Sequence, residues 1–291
     1  MTTFTKMEKR AQVDVRKYTL PPSVVPFVRQ LTHVTRYETL LLGKKVALSF
    51  YSRGENCDKY AEMAGDVLSL LLPYDRCPQG RPIQADVLLC ECEKRLPPKG
   101  VVLGPDHINT GYTRHCSPGA LVVYRKDEWA KVFIHECMHH LHLDDGMGPA
   151  RLPMFRIPGE VSVNEAFCEV WARILNCYLV AAHTGQSAKK LLAVERRHAV
   201  RSMEQVLAQM GLKYGDLTTE KAASYKEHTN VFAYVVLAAI LLNAPEFETV
   251  FAGFQGTNAK MLALVSKRMT SLQLKNFKKT NRMRMSAINL F

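Results

Sequence analysis

The first half of the chain alternates short apolar runs with polar turns. The pattern predicts extended segments at 45–52, 85–92, 107–113 and 120–124, and a helix at 55–72 with its apolar residues on one side. Residues 1–43 show a mixed pattern, in which Pro21, Pro22 and Pro26 exclude a long helix. The first half therefore predicts a small α/β unit.

The spacing of apolar residues becomes helical from residue 127 onwards. It predicts helices at 127–143, 163–183, 187–210 and 220–242, and a loop rich in glycine and proline at 146–159. An α/β part, residues 1–145, is thus followed by an all-α part, residues 146–291. This layout favours an enzyme with a cleft between two lobes.

The overall composition is that of an ordinary globular protein. Of 291 residues, 47% are hydrophobic and 23% are charged. The N-terminal sequence lacks the apolar run of a secretory signal. The longest apolar run, Val231–Leu242, is shorter than the ~18–20 residues that span a bilayer. We therefore expect an intracellular protein, cytoplasmic or nuclear (virion-associated if the source is a virus), with no transmembrane segment.

The eight cysteines are expected to be reduced thiols. A chain of this length, rich in core residues, does not need a disulfide framework. Cys90 and Cys92 are separated by one residue, whereas a zinc knuckle requires two. The cysteines therefore predict neither a disulfide scaffold nor a structural zinc site.

Positive charge is concentrated at the C-terminal end of the chain. The formal net charge is +12, and no acidic residue follows Glu248. Eight basic residues follow it: Lys260, Lys267, Arg268, Lys275, Lys278, Lys279, Arg282 and Arg284. This segment is either a solvated tail or an electrostatic arm for nucleic acid, an acidic partner or an anionic surface. A third alternative is a packed helix that continues the partial apolar stripe of Met261, Leu262, Leu264, Val265 and Met269.

The sharpest chemical signal is the motif His135-Glu136-Cys137-Met138-His139. Two histidines four residues apart on a helix project from one face and can bind the same metal ion. Glu136 lies beside that ion and can take a proton from a bound water. The motif can also occur by chance on a surface helix, but its apolar flanks favour a Zn²⁺ site.

A catalytic zinc requires a third protein ligand and an open fourth position. His142 lies on the same helical face as His135 but ~10 Å along the axis, which is too far for a shared ion. Asp145 follows His139 by six residues, where the metzincins carry their third ligand. That family needs a glycine at the position of His142, so neither candidate fits well.

A better third ligand lies downstream, in the segment Asn164-Glu165-Ala166-Phe167-Cys168-Glu169. Together with the upstream motif it resembles the gluzincin class of metallopeptidases, which includes thermolysin and the zinc aminopeptidases. The resemblance covers roughly residues 107–183. It implies that Glu165 is the third ligand and that Glu169 orients a zinc-bound histidine.

The same resemblance implies a zincin-like α+β fold with two lobes. The N-terminal α/β lobe would contain a small mixed sheet, the C-terminal lobe would be helical, and the active-site cleft would lie between them. Two alternatives stay open. Ser162 and Glu165 also match a capping box, in which the glutamate only closes the start of the helix. Glu169 could be an ordinary solvated carboxylate.

Peptide hydrolysis also requires groups that hold the substrate and stabilise the oxyanion. In the class that the chain resembles, an edge strand just before the zinc helix holds the substrate, which implies segment 107–113, with Asn109, Gly111 and Tyr112 as substrate-binding residues; the alternative is an ordinary strand and turn. The resemblance to gluzincins implies a Tyr or His from the C-terminal lobe for the oxyanion, and Tyr225 and His228, which would share one face of the predicted helix, are the candidates. Tyr234 is a further possibility, and the alternative for all three is a helix cap or a core aromatic.

These features together predict a zinc-dependent peptidase acting on a peptide or protein substrate, with Glu136 as general base. Two other functions remain possible. A weakly active or inactive zincin fold could bind nucleic acid or a protein partner through the basic C-terminal segment. The motif could also hydrolyse a bond other than a peptide bond, because it positions the water and does not select the substrate.

Overall fold

The structure, a computed structural model, describes residues 3–78, 80–119, 121–274 and 280–289. Its α-helices are α1 Val25–Val28, α2 Asp58–Leu71, α3 Pro105–Ile108, α4 Trp129–His140, α5 Val163–Thr184, α6 Ala188–Gln209, α7 Ala238–Leu242, α8 Phe247–Val250 and α9 Asn258–Arg268. Its strands are β1 Thr5–Arg10, β2 His33–Leu41, β3 Lys44–Ser52, β4 Ile83–Leu88, β5 Gly111–Tyr112, β6 Leu121–Val123, β7 Pro149–Ala150 and β8 Val161–Ser162. A π-helix spans Phe232–Leu237.

Six strands form one mixed sheet in the order β1-β2-β3-β4-β6-β5. The first three strands are antiparallel to one another, β4 and β6 run parallel to β3, and β5 returns antiparallel to β6. The expected mixed α+β architecture is therefore confirmed. The two strands β7 and β8 form a separate antiparallel pair.

The chain divides into two compact units. The first contains the described residues up to Glu93, Asn109–Leu143 and Asn289, and the second contains Lys94–Ile108 and Asp144–Ile288. The predicted lobes met at residues 145 and 146, whereas residues 94–108 group with the second unit.

In the first unit, both faces of the sheet are covered. Phe50 and Tyr51 are successive residues of β3 and so point to opposite faces. Phe50 packs against Trp129 of α4, with ring centroids 6.1 Å apart, and Tyr60 of α2 packs on the same tryptophan at 5.2 Å. Tyr51 faces a second cluster, to which the N-terminal segment contributes Val13, Val24, Val28 and Leu31. Burial of each such side chain stabilises the fold by about 1.5–3 kcal/mol, and this packing fixes α4 against the sheet.

In the second unit, long helices enclose the π-helix and α7. Every residue of the π-helix except Tyr234 is buried, as are all five residues of α7. Helix α5 contacts α6, the π-helix, α7 and α9. The long apolar run, Val231–Leu242, is therefore part of the core of the second unit.

Two predicted elements are wrong. The helix expected at 220–242 consists of a 3-10 turn at Glu220–Ser224, a non-helical segment, the π-helix and α7. The non-helical segment is held by a bridge between Glu227 and Leu103, and the backbone N–H of His228 donates to the carbonyl of Leu103 at 2.9 Å.

The extended segment expected at 107–113 begins instead with α3, and only Gly111–Tyr112 form a strand. Pro105 favours a helix start there because its φ is already helical.

The prediction that all cysteines are thiols is wrong for one pair. Cys77 and Cys116 form a disulfide bond, although they are 39 residues apart in sequence. The other six cysteines are thiols, as expected, and all six are buried. Sequence spacing did not reveal the pair, because its partners lie on two loops that only the folded unit brings together.

Within the described residues, no single helix is long and apolar enough to cross a membrane. One pair of helical segments, Phe232–Leu242 and Phe247–Phe254, meets the length and composition together but is bent by 105°.

The C-terminal segment, defined as residues 280–289, packs into the structure. Met283, Met285, Ser286 and Ile288 are buried. Three of the basic residues considered for an electrostatic arm, Lys275, Lys278 and Lys279, lie outside the described residues. The interpretation of residues 280–289 as a fully solvated tail is therefore wrong.

Candidate metal centre

Helix α4 is buried along its whole length, although it carries several ionisable side chains. All of its residues are buried, and His135, Glu136 and His139 are only 6%, 7% and 7% exposed. Ionisable groups are rarely buried unless they are paired or bind a metal. The alternative that the motif occurs by chance on a surface helix is therefore wrong.

The two imidazoles of the motif converge on one point. Nε2 of His135 and Nε2 of His139 are 3.2 Å apart, and the two rings meet edge to face. Two nitrogens bound to one tetrahedral zinc at ~2.0–2.1 Å would be about 3.3–3.4 Å apart. The observed separation therefore fits a shared zinc ion.

The chain turns sharply after α4. His142 has a φ of +57°, its N–H donates to the carbonyl of His139 at 3.0 Å, and Leu143 N–H donates to Met138 at 2.9 Å. These two bonds form a Schellman motif, which usually places glycine at the left-handed position. A sharp turn after the helix thus forms without the glycine that the metzincin-like alternative requires, while Asp145 is exposed.

The imidazole of His142 points toward His115. Their rings stack with centroids 4.8 Å apart, and His115 also stacks on His139 at 5.8 Å. His115 was not predicted from sequence, since it stands alone in a loop.

Glu136 lies against the backbone of strand β5. A Cβ atom added to Gly111 would be 2.9 Å from Glu136 Oε1 and 2.8 Å from the carbonyl oxygen of Val122. Both distances are shorter than real Cβ contacts, so a larger residue would displace the carboxylate or the strand. Gly111 and Tyr112 therefore form the strand beside Glu136, and Asn109 precedes it. The Tyr112 hydroxyl accepts a hydrogen bond from the backbone N–H of Thr19 at 3.0 Å.

Glu165 lies in the first turn of helix α5 in the second unit, and it does not act as part of a capping box. The side chain of Ser162, at the N-cap, makes no capping hydrogen bond. The Glu165 carboxylate instead accepts a hydrogen bond from the hydroxyl of Tyr234 at 3.0 Å. Tyr234 lies on the π-helix, a form that occurs frequently at functional sites.

The two residues expected to stabilise an oxyanion do not share a helical face, because the segment that carries them is not helical. Tyr225 is buried, and its hydroxyl donates to Glu227 at 2.6 Å. Burial raises the pKa of Tyr225 well above its usual value, and burial also raises the pKa of Glu227. His228 is exposed at the bridge to Leu103.

Glu169 is not a solvated carboxylate, because it is buried in an ion pair. Arg173 Nε donates to Glu169 Oε1 at 2.8 Å, and the guanidinium also donates to the backbone carbonyl of Tyr234 at 3.3 Å. Arg173 was not predicted as a site residue. Its position four residues after Glu169 on one helix is the signal that could have identified it.

Within the described part of the chain, two sets of three side chains are candidates to hold a metal ion: His135 with His139 and Glu165, and His115 with His139 and Asp144. The first set has the two imidazoles and one carboxylate of many catalytic zinc sites. Neither set includes Asp145.

No family model and no curated protein matches the chain. A solved structure that is similar to it is an aminopeptidase N family protein from Idiomarina loihiensis, with 13% sequence identity and a TM-score of 0.38. The alignment covers 92% of this chain and 48% of that protein, so the chain spans about half its length. At this TM-score the similarity does not establish a shared fold, and it supports no functional argument.

Proposed function

We propose that the protein is a zinc-dependent peptidase whose metal ligands are His135, His139 and Glu165. The observation that carries the proposal is the 3.2 Å separation of the two Nε2 atoms on a buried helix. This separation is close to that of two nitrogens on one tetrahedral zinc ion. A zinc ion shared by the two imidazoles accounts for it.

Glu136 is the general base of the proposed reaction. When bound, zinc lowers the pKa of a water ligand to about 7 and polarises the carbonyl of a substrate. The carboxylate of Glu136 takes the proton from the attacking water and passes it to the leaving amine. Contact with β5 at Gly111 holds this carboxylate in place.

Strand β5 is the proposed binding site for an extended substrate. In the described sheet it pairs only with β6, and it stands at the end of the strand order. A peptide can therefore add to its open side through backbone hydrogen bonds. This geometry supports a polypeptide substrate over a small molecule.

Tyr234 is the proposed oxyanion-stabilising group, in place of Tyr225 and His228. Its hydroxyl already contacts the carboxylate of Glu165, a proposed metal ligand. The hydroxyl of Tyr225 is committed to Glu227 in a buried pair. An oxyanion requires a donor near the metal, and Tyr234 meets that requirement better.

Metal content and peptide cleavage test the proposal together. We expect one zinc per chain, measured by mass spectrometry of the metal, in the wild type and in Glu136→Gln. His135→Ala should lose the zinc, while His183→Ala, which removes an exposed histidine at the end of α5, should keep it. A peptide library should be cleaved by the wild type and by His183→Ala only. Full zinc content in His135→Ala would contradict the metal site, and zinc binding without cleavage would favour an inactive fold or a different scissile bond.

A further inference from the structure

Arg173 joins several separate parts of the second unit. It is 1% exposed, and it donates to Glu169 on its own helix and to the backbone carbonyl of Tyr234 on the π-helix. A third contact is with Glu195 of α6, whose Oε1 is 3.6 Å from Arg173 Nη1. One guanidinium thus faces two buried carboxylates.

The C-terminal segment binds the other side of Glu195. Oε2 of Glu195 accepts hydrogen bonds from the hydroxyl of Ser286 at 3.1 Å and from the backbone N–H of Ala287 at 2.8 Å. Glu195 and Ser286 are both fully buried. The segment is therefore bound by a specific polar contact, in addition to its apolar packing.

These bonds involve one of two buried carboxylates beside a single guanidinium. Glu169 and Glu195 are both buried next to Arg173, and a buried carboxylate is costly unless it is hydrogen-bonded or paired. Ser286 and Ala287 donate to Glu195 on one side, and Arg173 faces it on the other. Glu195 therefore links the C-terminal segment to the guanidinium.

We propose that the C-terminal segment acts through Glu195 to hold Arg173 in place, and that Arg173 is a positioning residue for the proposed zinc site. Arg173 fixes the carboxylate of Glu169 and the backbone of Tyr234, and the Tyr234 hydroxyl binds Glu165. The inference rests on the proposed function, because Glu165 is a proposed zinc ligand. It assigns the segment to the second unit, which carries Glu165, and gives residues 286 and 287 a role distinct from a basic arm.

The test compares Ser286→Ala with Ser202→Ala. Ser202, also buried on α6, donates to the carbonyl of Arg284 at 3.4 Å, so its removal takes one bond from the C-terminal segment without touching Glu195. Zinc affinity is measured by competition with a chromophoric chelator. The kcat and KM are measured on a peptide cleaved by the wild type, and the melting temperature is measured for every variant.

We expect Ser286→Ala to raise the zinc Kd about tenfold and to lower kcat about tenfold with KM nearly unchanged, as for groups that support a metal ligand. Ser202→Ala should lower the melting temperature comparably but leave the zinc Kd and kcat at wild-type values. When Ser286→Ala is added to Arg173→Lys, the zinc Kd and kcat should change little further, because the two substitutions act through the same guanidinium. Equal zinc Kd values in the two serine variants would overturn the inference. A protein that binds zinc but cleaves no peptide would overturn the peptidase assignment alone, and zinc affinity would still decide the role of the segment.

Discussion

Helix α4 and the polar network around Arg173 both bury ionisable groups, but they are built in opposite ways. In α4, His135, Glu136 and His139 come from five consecutive residues, and the helical repeat alone brings the two imidazoles together. In the network, Arg173 meets residues from the π-helix, from α6 and, through Glu195, from the C-terminal segment. The first arrangement depends on one turn of helix, whereas the second exists only when distant segments pack.

This difference predicts how each region responds to substitution. Removing a group in α4 removes a proposed base or a proposed metal ligand, so the effect should be large and confined to function. Removing a group from the network should shift its neighbours by small amounts, so the effect should be graded. The following substitutions test that contrast, from the largest expected effect to the smallest.

Glu136→Gln should lower kcat by about 100- to 10,000-fold, the usual contribution of a general base. The amide keeps the shape of the side chain but cannot accept the proton. Zinc content should be unchanged, which separates loss of chemistry from loss of metal. If the variant retains wild-type kcat, another group is the base.

Tyr234→Phe should lower kcat by about 100- to 1,000-fold if its hydroxyl stabilises the oxyanion. Tyr225→Phe is the matched control, since it also removes a hydroxyl bound to a glutamate. The control should keep its kcat and lose about 1 kcal/mol of stability, measured by denaturant unfolding. The reverse pattern would return the oxyanion role to Tyr225.

Glu165→Ala should weaken zinc binding far more than Asp145→Ala does, because only Glu165 is a proposed ligand. Glu169→Ala should fall between them, with about 10- to 100-fold weaker binding. All three are measured by chelator competition. If Asp145→Ala is the most damaging, the metzincin-like arrangement is correct.

The double variant Cys77→Ser, Cys116→Ser should have the smallest effect on kcat. Loss of a crosslink over 39 residues should lower the free energy of unfolding by about 2–4 kcal/mol. Chemical denaturation of wild type and variant under oxidising conditions measures the difference. Cys57→Ser, at a buried free thiol, is the control for burial of the new hydroxyl. Equal stability of the double variant and the wild type would show that the crosslink does not stabilise the fold.

Elements with a strong local period were predicted well. Helices α2, α4, α5 and α6 lie within a few residues of their predicted bounds, as does strand β3. Strand β1 was not predicted because all six of its residues are exposed, so it has no apolar alternation. The helix expected at 220–242 failed because pairing with Leu103 holds Glu227 in an extended conformation.

The sequence alone determined the motif on α4, because two histidines four residues apart need only a helix to lie on one face. It also selected Glu165 and Glu169 as candidates, through the resemblance of their segment to the gluzincins. Only the tertiary structure decided that Tyr234 contacts Glu165, that Cys77 pairs with Cys116, and that Ser286 reaches Glu195. The physical reason is distance along the chain. Contacts within a helix follow from its repeat, whereas contacts between residues separated by 39 to 91 positions depend on how all the intervening segments pack.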